Sequence, residues 1–375
     1  MFYHIDDFLI YDTVRTTGNM DTTWLARKYQ VNQSTPNNLR VQDWPAGRKG
    51  IGTVTVTTGS RSIYYPLGSH ITSQRKNVNI TMRLLNYVPN GVAIAGLSLV
   101  GPGQDDHILS FGFIDNKTGF VAYAGVDGVV RKDVFIMSTS LTGVQDVIEW
   151  GFEKSANDRN SYKPFILWVN NKAAYVQDAF CQIGSSTNLS ARICGGVGIA
   201  PAGSTTATGF INLAGNVAIP ICGVTDLIVN DGARNGLVRV VDRVGTVDLG
   251  PNSMSPNVST PSHAELVGVA PPDANRYLVA ATAAMEELYG APAFPDLSSE
   301  AVLCMAIQVA GSKNNPYALE LGATLRVSGQ MEDIGGIPLD LSPGFATAIA
   351  EKNPVTGLSW TALEANSANF GLKVS

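Results

Sequence analysis

The sequence predicts an all-β chain: an antiparallel sandwich of jelly-roll type followed by a second, smaller β-rich domain. Three observations carry this expectation. Apolar and polar residues alternate with period two over much of the first 230 positions, the pattern of strands with one buried and one wet face. Gly, Asn or Pro separates most of these runs, so turns recur at intervals of about eight to twelve residues. No helical segment of comparable length competes in this part of the chain.

The strands follow in order. Thr53-Val54-Thr55-Val56-Thr57 and Val78-Asn79-Ile80-Thr81-Met82-Arg83-Leu84 alternate strictly. Further strands are expected over residues 92–100, 107–114, 120–124, 134–137, 147–152, 164–170 and 192–199. In Ile148-Glu149-Trp150-Gly151-Phe152-Glu153 the apolar residues share one face and the two acids the other, as a sheet with one wet side requires. The run ending in Trp168-Val169 enters Asn170-Asn171. A two-residue hairpin needs both central residues at positive φ, which Asn tolerates better than any residue except Gly. Residues 223–231 supply a further strand. A jelly roll can bring its first and last strands together, so residues 6–11 are expected to pair with residues 225–229.

Length favours two units, here a jelly-roll domain over residues 1–232 and a β-rich C-terminal assembly domain over residues 233–375. In the second, Val238-Arg239-Val240-Val241-Asp242-Arg243-Val244 alternates as a strand, and residues 249–261, rich in Pro, Ser and Asn, are the most linker-like stretch. Strands are expected over residues 301–310, 319–327 and 345–350, with a short helix by propensity over residues 280–288. Asn353-Pro354-Val355-Thr356-Gly357 signals a turn before residues 360–363.

Charged residues make up 15% of the chain, against roughly 25% in soluble domains, so large surfaces are expected to be buried against other subunits. The formal net charge of −5 and the absence of any basic run longer than two residues argue against nucleic acid, whose phosphates demand clustered Lys and Arg. No run of about eighteen apolar residues exists, which argues against membrane insertion. Met1-Phe2-Tyr3-His4-Ile5-Asp6-Asp7 carries acid where a secretion signal would carry Lys or Arg, so synthesis in a cytoplasm is expected. Cys181, Cys194, Cys222 and Cys304 lack C-x-x-C spacing. Buried free thiols are expected, the alternative being one disulfide among the first three.

A search for chemistry finds none. His4, His70, His107 and His263 lie outside any G-x-S-x-G elbow or H-x-x-x-H spacing. The paired carboxylates of a glycosidase must sit about 5.5 Å apart, whereas Glu149 and Glu153, i and i+4 on a strand, lie about 13 Å apart. Asp105-Asp106 and Asp226 with Asp231 are acidic groupings near expected rims, and Gly195-Gly196-Val197-Gly198 fails the phosphate-loop spacings. No catalytic residue, cofactor or metal is expected, and the chain is not expected to be an enzyme. Trp44, Tyr64, Tyr65 and Tyr123 are the aromatics a β-sandwich could use to grip a sugar or a partner, although aromatics on alternating strands belong more often to the core.

Two resemblances follow from these segments. Trp168-Val169-Asn170-Asn171-Lys172, Ile193-Cys194-Gly195-Gly196-Val197-Gly198 and Gly223-Val224-Thr225-Asp226-Leu227-Ile228-Val229 resemble, in order and spacing, strands of the laminin G and concanavalin A-like jelly rolls. Asn230-Asp231-Gly232 with Leu237-Val238-Arg239-Val240 resembles a group of tailed-bacteriophage virion proteins that join such a jelly roll to a β-rich C-terminal region. So do residues 301–311, Lys352-Asn353-Pro354-Val355-Thr356-Gly357-Leu358-Ser359-Trp360-Thr361 and residues 365–373. The chain departs from that pattern with Asn353 where Asp is common and with Arg234-Asn235 where an acidic, Gly-containing loop is usual.

The second resemblance implies a structural component of a virion, associated with tail, baseplate, neck or fibre. It would be assembled in the host cytoplasm and act through copies of itself and other virion proteins. The alternative is a carbohydrate-binding adhesin module that recognises a bacterial surface glycan through a loop rim.

Overall fold

The computed structural model describes residues 1–6, 29–33, 39–45, 48–53, 57–58, 61–67, 77–101, 104–124, 130–154, 161–177, 181–182, 189–199, 213–214, 218–219, 222–260, 262–268, 275–294, 297, 300–314, 320–342 and 344–375. The chain is all-β and forms two compact units that meet in sequence at Val240 and Val241.

The first unit runs from β1 (Phe2–Asp6), β2 (Gln30–Gln33), β3 (Leu39–Trp44), β4 (Arg48–Thr53), β5 (Thr57–Thr58) and β6 (Arg61–Pro66) to β7 (Asn77–Leu85), β8 (Val92–Gly101) and β9 (Gln104–Phe113). It continues with β10 (Thr118–Ala124), β11 (Val130–Ile136), β12 (Gln145–Lys154), β13 (Ser161–Val169) and β14 (Lys172–Gln177). It ends with β15 (Cys181–Gln182), β16 (Leu189–Ile199), β17 (Leu213–Ala214), β18 (Ala218–Ile219) and β19 (Cys222–Asn230). Two antiparallel sheets result. One has the order β14-β13-β12-β7-β19-β4-β3, with β1 on β19 and β15 on β13; the other has the order β11-β10-β9-β8-β16-β6-β2, with β17 on β16.

Alternation places Ile80, Met82, Trp150 and Leu167 on the inner face of the first sheet, where all are buried. Trp150 meets Phe111 of the second sheet edge to face at 5.5 Å between ring centroids, and Phe165 packs 5.9 Å from the same Phe111. The expected pairing of chain ends is present from residue 2: Asp6 lies opposite Leu227 and Ile5 opposite Ile228. Residues 7–11 and 54–56 of the expected strands lie outside the described residues. Asn170 and Asn171 take φ of 47° and 64°, the mirror-image turn their sequence predicts.

The segment after β19 corrects the sequence reading. Residues 233–240 belong to the first unit, and residues 238–244 form no strand. Residues 233–240 instead form a strap held to the outer face of the first sheet by polar contacts: Asn79 Nδ2 and Asn230 Nδ2 donate to the Ala233 carbonyl. Arg83 reaches the Val238 carbonyl and Arg48 the Val240 carbonyl.

The second unit contains β20 (Val247–Asp248), β21 (Ser255–Pro256), α1 (His263–Val267), β22 (Leu278–Val279), β23 (Glu286–Gly290), β24 (Met305–Gly311) and β25 (Glu320–Val327). It closes with β26 (Gln330–Pro338), β27 (Gly344–Ala350), α2 (Ala362–Ser367) and β28 (Asn369–Val374). Its main sheet has the order β20-β23-β28-β25-β26. Ala323, Leu325, Val327, Ala348 and Trp360 are buried in its core.

The helix expected over residues 280–288 is absent: Ala284 has φ of 65°, and residues 286–289 pair with residues 370–373 of β28. Tertiary pairing overrides local propensity there. Nor is 249–261 a free linker, because Met254 N donates to Glu287 Oε1 at 2.7 Å and Ser255 pairs with Val279.

The turn at residues 353–357 is a cross-linked corner. Asn353 accepts the Val355 N–H on Oδ1 and donates from Nδ2 to Glu364 Oε1 at 2.8 Å. Trp360 Nε1 donates to the Ala350 carbonyl, and Thr361 with Glu364 forms a capping box that starts α2. Residues 362–367 are thus helical just beyond the turn.

Candidate interaction surface

Three connections meet at one end of the sandwich: residues 86–91 between β7 and β8, 114–117 between β9 and β10, and 137–144 between β11 and β12. Backbone hydrogen bonds stitch them together. Gly91 N donates to the Phe113 carbonyl, Met137 N to that of Lys117 and Leu141 N to that of Asn116, each at 2.8 Å. Asp115 caps its own turn by accepting the N–H groups of Lys117 and Thr118, contacts that hold its exposed carboxyl below the usual range. Asp146, buried at the base, accepts from Thr142 N, Gly143 N and Asn170 Nδ2. The long loop is thereby tied to the Asn170 turn.

These connections border a shallow, open concavity of about 800 Å³, lined by the apolar Val88, Pro89, Ile114 and Ile136 and by the polar Asp115, Asn116, Lys117, Thr118 and Ser140. Val88 is 62% and Ile136 80% exposed. Its exposed aliphatic side chains offer burial of an apolar group beside a polar strip that carries Asp115 and Lys117. The Asp115 carboxylate is engaged by backbone N–H groups of its own turn, and the lining holds no aromatic ring face for a sugar.

The outer face of the same unit carries a buried polar network. Glu149 accepts from Asn79 Nδ2 at 2.8 Å, from Asn235 N at 2.6 Å and from Gly236 N at 3.3 Å. Arg234 approaches the same carboxylate at 3.2 Å and lies 4.5 Å above the Trp168 ring. Asp226, projected by a bulge at φ of 51°, binds both Arg48 and Arg83. Two guanidinium groups leave that carboxylate no role as a cation ligand, and Asp231 accepts the amino group of Met1. The network holds the strap; nothing in it faces a cavity.

The aromatic candidates do not converge on the rim. Trp44, Tyr64, Tyr65 and Tyr123 are 3%, 1%, 8% and 4% exposed, so none offers a ring face to solvent. Trp44 donates from Nε1 to the Gly50 carbonyl, and its ring occupies the space a Cβ on Gly223 would need, 2.4 Å away. Tyr65 stacks on His4 at 4.3 Å, and burial pushes its hydroxyl pKa well up. Tyr64 and Tyr65 are consecutive on β6 and so point to opposite faces, and both faces are covered there. The sequence signal of this rim is apolar residues at two turns, Val88 and Ile114, and at the end of a strand, Ile136.

The histidines are structural where described. His4 Nε2 lies 2.7 Å from the Tyr29 hydroxyl, which donates to Asp6. In the second unit His263 Nδ1 lies 2.9 Å from Glu287 Oε2, which also accepts the Tyr289 hydroxyl. His70 and the side chains of Asp105, Asp106, His107, Glu153, Cys181 and Cys194 lie outside the described residues. Among the described residues no three His, Cys, Asp or Glu side chains gather as a metal-ion set, and no helix is long and apolar enough to cross a membrane. Cys222 and Cys304 are free.

No protein-family model and no curated protein matches the chain. Among solved structures, a Trypanosoma rangeli sialidase in complex with 2,3-difluoro-KDN aligns at 14% identity over 53% of this chain and 27% of its own, with a TM-score of 0.30. The alginate lyase Aly36B aligns at 9% identity over 63% of this chain and 98% of its own, with a TM-score of 0.34. The Ruminococcus gnavus IT-sialidase CBM40 bound to α2,3-sialyllactose aligns at 14% identity over 47% of this chain and 92% of its own, with a TM-score of 0.25. At such scores these likenesses carry no argument about what this chain binds or does.

Proposed function

We propose that the protein is a structural component of a tailed-bacteriophage virion, working by oligomerisation and by docking onto other virion proteins. The observation that carries this reading is the grouping of exposed aliphatic side chains, Val88, Ile114, Val134 and Ile136, on a hydrogen-bonded rim and the adjoining sheet edge. Apolar clusters of that kind on soluble proteins mark association surfaces. Low charge over the whole chain has the same meaning.

The virion setting comes from the motif resemblance of residues 230–240, 301–311 and 352–373. Where these segments are described they do scaffolding work: the strap fastened to Glu149 and the corner cross-linked through Asn353 build surfaces and hold no reactive group. A glycan-binding rim would instead be expected to present aromatic faces.

Quantifying the protein in purified intact particles tests the reading. Co-purification at a fixed ratio to the major tail or capsid protein is expected; absence from particles overturns it. A glycan array and whole-cell adsorption with the isolated protein distinguish the adhesin alternative, since an architectural component binds neither.

A further inference from the structure

We propose that β11 is the seam of a two-fold homodimer, in which two copies pair edge to edge, antiparallel and centred on Val134, to join their eight-stranded sheets. The inference rests on the assembly reading above and specifies its first contact.

Among the described residues β11 ends its sheet, paired to β10 alone. The bond from Met137 N to the Lys117 carbonyl sets the phase of that ladder. With Ile136 opposite Thr118, residues 131, 133 and 135 direct their backbone groups to β10, while 132, 134 and 136 direct theirs to the open edge. The side chains of these last three residues lie on the outer face, where Val134 is 58% and Ile136 80% exposed.

Folded proteins guard such edges with lysine or with inward-pointing charge. Both guards are turned aside on β11. Lys132 Nζ sits 4.9 Å from the Phe120 ring centroid, drawn back across β10 and away from the edge. Asp133 points to the other face, where it accepts the Tyr175 hydroxyl. The edge is left with an open ladder and β-branched side chains, the surface that another strand completes.

Charge selects the register. Matching outer face to outer face requires the two-fold axis to pass through a residue. Centred on Lys132 or Asp133, the seam would oppose that charge to its own copy, which is destabilising. Centred on Val134, it sets Val134 against Val134, Ile136 against Lys132 and Phe135 against Asp133, with no like charges opposed. Registers centred farther along run off the strand end at Ile136. In the chosen register the two Val134 residues form a hydrogen-bonded pair with Cα atoms about 5.5 Å apart.

Sedimentation velocity of the full chain at micromolar concentration tests the seam, comparing the wild type with Val134→Lys and Ile136→Lys and checking each fold by circular dichroism. A wild-type dimer, or a multiple of one, is expected, with mass halved in both folded variants. Independently, Val134→Cys treated with a short bismaleimide is expected to give a covalent dimer that the wild type does not. If the wild type associates but Val134→Lys associates equally, or Val134→Cys is not captured, the seam is wrong and the assembly reading survives. A monomeric wild type that is also absent from particles removes both.

Discussion

The backbone N–H of Asn235 donates to Glu149 Oε1 at 2.6 Å, so a carboxylate 2% exposed on the outer face of the first sheet holds a strap that is not itself a strand. Glu149→Gln keeps the size but places an amide NH₂ among donors, leaving at least one of Asn79 Nδ2, Asn235 N or Gly236 N without an acceptor. A loss of about 3 kcal/mol is expected, the scale for breaking a buried hydrogen-bonded charge, read as a lower urea midpoint with unchanged slope. A loss below about 0.5 kcal/mol would show the strap to be held elsewhere.

The Asn170-Asn171 turn separates two kinds of residue. Asn170 has φ of 47°, accepts the Val147 N–H and donates to Asp146, so its side chain joins the turn to the rim loop. Asn170→Ala is expected to cost about 2 kcal/mol, from left-handed backbone strain plus the lost bonds. At Asn171, with φ of 64°, the side chain accepts a hydrogen bond from the half-exposed Arg234. Asn171→Gly should change thermal stability little, within about 0.5 kcal/mol, because Gly suits the conformation. Comparable losses in the two variants would refute this division.

Burial pushes the Cys222 thiol up to about 12 and, with help from the Glu351 charge, the Cys304 thiol also to about 12. Both values lie above that of an unfolded thiol, about 8.5. A raised value means the protonated form is the one the fold favours. The contribution is therefore full below about pH 8.5 and is lost as pH climbs toward 12. Alkylation of Cys222 at pH 8 should await unfolding, and the urea midpoint should fall across that alkaline window, less steeply in Cys222→Ala. Rapid stoichiometric labelling of native Cys222 would contradict this.

What the sequence made legible follows from what a period of two can encode. Strands β7 to β13 bury one face against a facing sheet, so Ile80, Met82 and Trp150 reveal themselves by alternation. Alternation cannot account for Tyr64 and Tyr65 together, since consecutive residues on β6 face opposite ways and both are buried. Val238 to Val244 alternates too, yet it forms no strand, and the carbonyls of Val238 and Val240 are held by Arg83 and Arg48, remote in sequence and invisible to any local pattern. At residues 280–288 helix propensity is real, but pairing with β28 outweighs it. The rim was illegible because it joins Val88 and Ile114 from two connections with Ile136 from the end of β11, and the open edge of β11 because edge position is a property of sheet order.

The corner at Asn353 gives a charge test in which an apparent departure from the family pattern becomes a matched pair. Asn353 is fully buried and donates from Nδ2 to Glu364, whose exposed carboxyl is held below the usual range by the Thr361 contacts first and by Asn353 last. An aspartate at 353 would keep the acceptor that binds Val355 N and Thr356 N. It would also set a second carboxylate against Glu364. Asn353→Asp is therefore expected to lower the melting temperature at pH 7. Acid should narrow the gap, because protonating either carboxyl removes the repulsion and restores a donor. Asn353→Asp with Glu364→Gln should recover most of the loss at pH 7, since the amide at 364 can donate to the new carboxylate. A double variant no more stable than Asn353→Asp alone would show that the cost arises in the turn itself and not between these two side chains.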